Sequence, residues 1–182
     1  MRVLSREGLN EWARCHRIMG TLPLPSPGGL LSKAAVAETP IAQQSSLLKR
    51  VQEMLGVRRL QSEQDLVRLV EDGLATGAVD RLRRSGLTDD EIYSLIVPRR
   101  TLTHRRARRE ALSQQESDRA VRLARIAALG EQVFGDSTRA WHWLRAAKRQ
   151  FHGRSPLHLT ATEAGARLVE ELLYRIDEGT AA

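Results

Sequence analysis

The sequence predicts an all-α protein, and three observations support that prediction. Apolar side chains recur at helical spacing almost throughout residues 45–179, and no stretch shows the alternation typical of a strand. Ala, Leu and Arg dominate the composition, whereas aromatic residues make up only 4% of the chain. The hydrophobic share of 41% permits a core, and 182 residues suit one ordinary domain or two small ones. We therefore expect helices that pack through aliphatic stripes.

The N-terminal segment differs from the rest of the chain. Four of the six prolines lie in residues 1–43, three of them in the run PLPSPGG. Proline lacks the amide donor and clashes with the preceding turn, so residues 20–43 are predicted to be a flexible linker. Residues 2–19 form either a short helix or an extension ahead of a later start codon. We expect residues 1–43 to be a disordered or extended segment.

Three helices are predicted within residues 45–86. The second begins at Ser62, which has Asp65 three residues on as a capping partner, and ends at Gly73. Thr76 is predicted to cap the third helix, which ends near residue 86. The apolar stripe of the first helix consists of Leu47, Leu48, Val51, Met54 and Leu55.

The run LTDDEI contains a strong helix start. Thr88 and Glu91 have the spacing of a capping box, and Leu87 and Ile92 that of a hydrophobic staple. The helix that follows should extend over residues 89–96. Pro98 then disfavours helical geometry in the preceding residue and suits the first position of a new helix through Arg109.

The helix that starts at Pro98 is strongly basic. The stretch VPRRTLTHRRARR, residues 97–109, holds six arginines and no acidic side chain. Two short helices joined by a tight turn, the second basic, describe a helix-turn-helix, whose second helix enters the DNA major groove. Leu102 is predicted to point toward the preceding helix. The opposite face carries Arg100, Thr103, His104, Ala107 and Arg108.

The DNA-binding residues predicted on this helix fall into two groups. Arg99 and Arg100 lie in its first turn, where arginine pairs bidentately with guanine, and Thr103 and His104 share the exposed face. Phosphate contacts are predicted for Arg105, Arg106, Arg108 and Arg109. A solvated basic face is the alternative, and RNA binding is disfavoured because no aromatic platform accompanies the arginines. Residues 44–112 are therefore predicted to be a DNA-binding domain.

Residues 113–182 are predicted to form a second helical domain. Ser113 and Glu116 make a capping box that opens a helix to about Phe134, with Gly130 as a weak point. Asp136 should cap a helix that ends near residue 150. Ser155 and Pro156 start a single turn, Thr160 and Glu163 are predicted to form another capping box, and Gly179 closes the last helix.

The charge is unevenly distributed along the chain. The formal net charge of +7 and the pI near 10.6 favour an anionic partner, nucleic acid before any other. Residues 99–125 carry nine arginines against three acidic side chains, whereas residues 163–182 carry two arginines against five. A cationic middle and an anionic end suggest two different binding partners.

Cysteine and hydropathy patterns predict a cytoplasmic protein. Cys15 is the only cysteine, so no intrachain disulfide forms and a reducing compartment is expected. No apolar run approaches the roughly 20 residues that span a bilayer, and the N-terminus lacks a signal core.

Catalytic and metal-binding patterns are weak in this sequence. His142, His152 and His158 are ten and six residues apart, which matches neither a helix pair nor a zinc-finger spacing. There is no nucleophile elbow and no phosphate-cradling glycine loop. We predict no enzyme activity, no metal site and no cofactor.

Several runs resemble a known family. ESDRAVRLARI, VFGDSTRAWHWL and GRSPLHLTATEAGARLVEELLYRIDEG resemble the toxin-binding domain of Xre/MbcA/ParS-type antitoxins, the partners of bacterial RES-domain toxins. Upstream, EDGLATGAVDRLRRSGLTDDEIYSLIVPRRTLTHR is similar to that family's Xre-like helix-turn-helix portion. The resemblance covers about residues 58–179. Its landmarks are Arg119, Phe134, Gly135, Ala140, Trp143, Leu144, Gly153, Arg154, Ser155, Pro156, Leu159, Thr162, Gly165, Val169, Leu173, Arg175, Ile176 and Gly179.

The resemblance implies an antitoxin of a type II toxin–antitoxin system. Its C-terminal domain would bind and block a co-produced RES toxin that depletes NAD, and the chemistry would belong to the toxin. The helix-turn-helix would dimerise, bind operator DNA in the nucleoid and repress the shared operon. The residues expected to contact the toxin are Arg154, Arg167, Glu170, Glu171, Arg175, Asp177 and Glu178.

Alternatives remain for several of these residues. The acidic side chains of the last helix also fit an ordinary solvent-exposed helix face. Arg154 equally suits capping of the carbonyl groups at the end of the preceding helix. Trp143 is expected to be core. Gln150-Phe151-His152 is bulkier than the small aliphatic segment expected before Gly153, and a helix former is usual at Gly130. The rival functions are a stand-alone regulator whose C-terminal helices only dimerise, and an antitoxin without specific DNA recognition.

Overall fold

The computed structural model describes residues 40–180, and their side chains from residue 44 onward. This part of the chain is entirely helical with no strand, which confirms the all-α prediction. The interpretations of residues 2–19, of most of the predicted linker and of Cys15 lie outside it.

Nine α-helices and one 3₁₀ turn make up residues 40–180. Their bounds are α1 Pro40–Leu55, α2 Glu63–Asp72, α3 Gly77–Arg84, α4 Asp89–Leu95, α5 Arg99–Arg108, α6 Gln114–Phe134, α7 Ser137–Arg145, the 3₁₀ turn Arg149–Phe151, α8 Pro156–Leu159 and α9 Glu163–Asp177. The first helix begins at Pro40, inside the predicted linker, because proline needs no amide partner in a first helical turn.

The long helix α6 is the centre of the fold. It packs against α1, α2, α7 and α9, so helices from both predicted domains share it. Its inner positions are mostly small, which lets neighbouring helices approach closely. The buried small residues of α6 are Ser117, Ala120, Ala124, Ala127, Ala128 and Gly130. The described residues belong to one compact unit, and the domain boundary after residue 112 stays a prediction.

The predicted helix starts are largely confirmed. Capping boxes cap the N-termini of α2 at Ser62, α4 at Thr88 and α6 at Ser113. In each, the hydroxyl of the cap residue accepts from the amide three residues on, and the carboxylate of that residue accepts from the amide of the cap residue. Asp136 caps α7 and Ser155 caps α8, as predicted.

Two predicted caps are wrong. Thr76 precedes α3 in helical geometry, and its side chain makes no capping hydrogen bond. The last helix is capped by Thr162, which accepts from the Gly165 amide, and not by a box of Thr160 with Glu163. The buried Thr160 hydroxyl instead donates to the Leu157 carbonyl at 2.6 Å, because Thr160 is the C-cap of the α8 turn.

The helix α7 differs from its prediction in two ways. It ends at Arg145 and not near residue 150, because the chain turns to extended geometry at Ala146 and then forms the 3₁₀ turn. Of the two tryptophans in α7, Trp141 is buried, whereas Trp143, the one expected in the core, is half-buried. The Trp143 ring lies beside Phe134, at 5.4 Å between ring centroids.

Within residues 40–180, no helix combines the length and apolar character needed to cross a bilayer.

Candidate nucleic-acid interface and partner surface

The helices α4 and α5 form the predicted helix-turn-helix. Three residues, Ile96, Val97 and Pro98, separate them, and the first two are buried, which fixes the turn against the core. Pro98 occupies the N-cap position of α5. Arg109 ends the helix in left-handed geometry with φ of 56°.

The helix α5 presents nearly its whole surface to solvent. Leu102 is its single buried residue, as its position toward α4 predicts. The side chains of Arg99, Arg100 and His104 are exposed and have no hydrogen bond or ion pair among the described residues. The Thr103 hydroxyl donates to the Arg99 carbonyl at 3.0 Å. The predicted base-reading side chains therefore share one exposed face.

The four arginines predicted to bind phosphate are not equivalent. Arg105 lies 2.9 Å from a carboxylate oxygen of Glu116, whose side chain completes the Ser113 capping box of α6. Arg106 pairs with Asp80 of α3 at 2.7 Å. Arg108 lies 3.7 Å from Glu110. Arg109 is exposed and unpartnered within residues 44–180.

Hydrogen bonds hold α7 against the turn between α3 and α4. The Trp141 indole nitrogen donates to the Ser85 carbonyl at 2.7 Å, and Arg145 donates to the Gly86 carbonyl at 2.7 Å. Arg145 also pairs with Glu91 in the first turn of α4 at 2.6 Å. Gly86 has φ of 123°, and a Cβ there would overlap the Trp141 indole. We refer to these contacts of Trp141 and Arg145 as the clamp.

Ionisation of the clamp follows from these contacts. Hydrogen bonding to Glu91 raises the pKa of Arg145. Burial alone would raise the pKa of Glu91, but hydrogen bonds from Arg145 and Thr88 outweigh it and hold that pKa below its ordinary value. Both groups are therefore charged at neutral pH.

The acidic last helix places its predicted toxin-binding residues in different settings. Arg167 pairs with Glu163 at 3.2 Å in solvent. Glu170 is half-buried against Arg125 of α6 at 4.0 Å, and burial raises its pKa. Asp177 borders a groove between α1, α6 and α9. The remaining residues of this set on α9, Glu171, Arg175 and Glu178, are exposed.

Two apolar side chains on α9 were missed as surface residues. Leu168 is 51% exposed and Tyr174 is 49% exposed. A rotation of about 100° per residue puts Leu168 at the edge of the buried face formed by Val169, Leu172 and Leu173. A helical projection of the sequence would have distinguished Leu168 from the buried residues of α9. The outer face of α9 consists of Arg167, Leu168, Glu171, Tyr174, Arg175 and Glu178.

The loop before α8 carries Arg154. Its exposed side chain makes no hydrogen bond within the described part of the chain, so the alternative role of Arg154, capping of α7 carbonyls, is absent there. Phe151, in the unusually bulky segment, is buried with 8% exposure.

No described group of three His, Cys, Asp or Glu side chains has metal-binding geometry. His142, His152 and His158 are all exposed.

These features define the class of protein: a helix-turn-helix unit with an appended helical unit, joined through one long central helix. Residues 65–125 match the antitoxin Xre-like helix-turn-helix domain, and residues 129–179 match the antitoxin Xre/MbcA/ParS C-terminal toxin-binding domain. The match of both units confirms the resemblance predicted from the sequence. The first match ends and the second begins inside α6.

Two curated proteins extend this comparison. Antitoxin Xre of Pseudomonas putida is 35% identical over 130 residues, which cover 71% of this chain and 82% of that protein. Antitoxin Xre of Yersinia enterocolitica is 33% identical over 84 residues, 46% of this chain and 57% of that protein. The chain belongs to the Xre antitoxin family.

Proposed function

We propose that this chain neutralises a RES-domain toxin that depletes NAD and represses the operon that encodes both proteins. The observation that supports it is the pairing of two separate surfaces on one compact unit. One is the cationic face of α5, and the other is the outer face of α9, which combines apolar side chains with charges of both signs. The chain itself would carry no catalytic group, and it would act in the cytoplasm on nucleoid DNA.

The face of α5 supports DNA reading in its first turn. Arg99 and Arg100 are exposed and unpaired within residues 44–180, so their guanidinium groups are free for guanine edges. Arg109, at the far end, is suited to a phosphate. Arg105 and Arg106 already neutralise acidic side chains, so we assign them a smaller share of DNA affinity than the sequence suggested.

The outer face of α9 supports toxin binding because it combines apolar anchors with charges. Interfaces between proteins need a desolvated apolar centre and tolerate charge at the rim. Leu168 and Tyr174 supply the apolar centre, and Glu171 and Arg175 lie beside them on the helix. We add Leu168 and Tyr174 to the proposed toxin contacts.

The toxin arm is tested by co-production with the adjacent gene product while growth and cellular NAD are followed. Leu168→Asp and Tyr174→Asp should each weaken toxin binding by roughly thirtyfold and impair rescue, since both bury an unpaired charge. Val67→Asp is the matched control, because Val67 is 57% exposed on α2. Equal rescue by all three variants would show that α9 does not form the toxin interface. If the product of the adjacent gene is not toxic, the chain would instead be a regulator without a toxin partner.

The repression arm is tested with a duplex from the protein's own promoter and a random duplex. Arg99→Ala with Arg100→Ala should abolish the preference for the promoter, whereas Arg109→Ala should weaken binding to both duplexes equally. We expect a homodimer, whose half-sites lie about 34 Å apart or a multiple of that distance. An unchanged preference in the double variant would count against base reading by α5.

A further inference from the structure

We propose that the loop of residues 148–154 is a second DNA-phosphate surface, built into the unit that matches the toxin-binding domain. We call this segment the basic loop. The inference rests on the proposed DNA binding and extends it, because it gives the C-terminal unit a direct share in holding the duplex.

The sequence around the basic loop lacks acidic side chains entirely. Residues 137–162 contain five Lys or Arg and no Asp or Glu, although the last helix that follows is acidic. One of the five, Arg145, is neutralised by Glu91. Three of the other four, Lys148, Arg149 and Arg154, lie within the basic loop itself, and this concentrated positive charge attracts polyanions.

The basic loop is ordered by its own backbone. The Lys148 amide donates to the Arg154 carbonyl at 3.1 Å, and the Gly153 amide donates to the Lys148 carbonyl at 3.0 Å. The buried Phe151 ring anchors the turn, and His152 takes left-handed geometry with φ of 53°. Cations on such a closed loop lose little backbone entropy when they bind.

The arginines at the ends of this loop are available for an external anion. Arg149 and Arg154 are exposed, and neither side chain has a hydrogen bond or ion pair within residues 44–180. About half of the other arginines in residues 44–180 differ in this respect. Arg50, Arg83 and Arg122, for example, each pair with a carboxylate.

The chemistry of the basic loop favours phosphate over a protein surface. Specific protein interfaces are depleted of charge at their centre and need apolar anchors. The large apolar side chains exposed in the described residues are Val67, Leu168 and Tyr174, and none of them belongs to this loop. DNA interfaces, in contrast, are polar and strongly positive.

The position of the basic loop also favours the duplex that α5 would read. In a helix-turn-helix the first helix crosses the DNA backbone. The clamp fixes α7 to the first turn of that helix, α4, and the loop begins three residues after Arg145. Two of the three carboxylates in the acidic first turn of α4 are neutralised, Asp89 by Arg83 and Glu91 by Arg145, which leaves the exposed Asp90 as the one carboxylate there without a partner in residues 44–180.

The test measures the salt dependence of binding to a 30-base-pair duplex of random sequence. Each phosphate contact contributes about 0.9 to the slope of log affinity against log salt concentration. Arg149→Ala combined with Arg154→Ala should lower the magnitude of that slope by about two. The ratio of wild-type to variant DNA affinity should therefore fall roughly tenfold between 50 and 200 mM salt. The melting temperature should stay unchanged, which shows that the variant folds normally. Toxin affinity is measured beside it, because Arg154 is also among the predicted toxin contacts.

The matched control is Arg58→Ala combined with Arg59→Ala, which removes two exposed arginines from another loop. Its slope should equal that of the wild type. An unchanged salt-dependence slope in the Arg149 and Arg154 variant overturns the inference. If the slope is unchanged and toxin affinity falls, the basic loop binds the toxin and not DNA. If the wild type binds no duplex at all, the proposed DNA function fails and this surface fails with it.

Discussion

Arg145 and Glu91 join α7 to the helix-turn-helix through a two-pronged ion pair. The Nε atom of Arg145 lies 2.6 Å from one carboxylate oxygen of Glu91, and Nη2 lies 2.8 Å from the other. The second oxygen also accepts the Thr88 amide at 2.8 Å, which closes the N-terminus of α4. The Glu91 carboxylate thus caps α4 and also binds Arg145 of α7, so its loss disturbs both contacts.

Glu91→Gln should destabilise the fold by about 1 kcal/mol at pH 7, because it removes a charge-assisted pair that is partly screened by solvent. The folded-state pKa of Glu91 is lowered, so its contribution is present above the unfolded pKa and is lost as pH falls through the folded value. Urea denaturation at pH 7 and pH 3 measures both effects. The difference between variant and wild type should shrink at pH 3.

The control for this prediction is Asp90→Asn, an exposed neighbour that loses the same charge. It should change stability by a few tenths of a kcal/mol at most. Equal effects of the two substitutions would mean that the Arg145 contact contributes nothing beyond the charge at the helix N-terminus.

Glu170→Gln should stabilise the protein at neutral pH. Burial raises the folded-state pKa of Glu170, so its ionisation opposes folding once the pH passes the unfolded value. The gain is modest because Arg125 partly compensates the charge, and it should disappear at pH 3, where the carboxyl is protonated in both states. Thermal melts across this pH range test it, with the exposed Glu171→Gln as the variant expected to show no gain.

The fold was predictable wherever local chemistry decides the outcome. The boxes at Thr88 and Ser113 fix their helix starts through side chains three residues apart, so sequence spacing alone reveals them. The start of the last helix was wrong because Thr160 and Thr162 both fit as caps. Only packing of the α8 turn, which buries Thr160, decides between them.

The candidate sites were predictable as helices but not as sets of contacts. The exposure of Arg99 and Arg100 follows from their place on α5, and Leu102 is buried as its position requires. The pairing of Arg105 with Glu116 depends on how α5 meets α6, and eleven residues of separation give no local signal. The clamp joins residues more than 50 positions apart, so only the tertiary structure reveals it.

Arg105→Ala should behave as a stability variant more than as a DNA-binding variant. The substitution leaves the buried Glu116 carboxylate with only its capping contacts, which should cost about 2 kcal/mol. Arg109→Ala removes an exposed side chain that has no partner among the described residues, so stability should stay within about 0.5 kcal/mol while DNA affinity falls. Denaturation midpoints and duplex affinities measured on both variants compare the two roles. Stability equal to the wild type in Arg105→Ala would contradict the structural assignment.

Gly130→Ala should stabilise the protein, although this glycine is buried in the middle of α6. An added Cβ would lie 3.5 Å from the Ala140 Cβ and 3.9 Å from a Leu144 methyl carbon, which are ordinary van der Waals contacts. Alanine also removes the entropic penalty of glycine inside a helix, so the expected gain is about 0.5–1 kcal/mol. Chemical denaturation at neutral pH measures it.

The matched substitution is Gly165→Ala in α9, which is also a buried helical glycine. There a Cβ would overlap the Leu159 carbonyl oxygen, a backbone atom fixed by the α8 turn, so α9 and α8 must separate. We expect a loss of at least about 2 kcal/mol. A similar loss in Gly130→Ala would show that α6 and α7 pack more tightly at Ala140 than these distances indicate. A gain in both variants would show instead that the α8 turn yields, and that Gly165 does not hold α9 close to it.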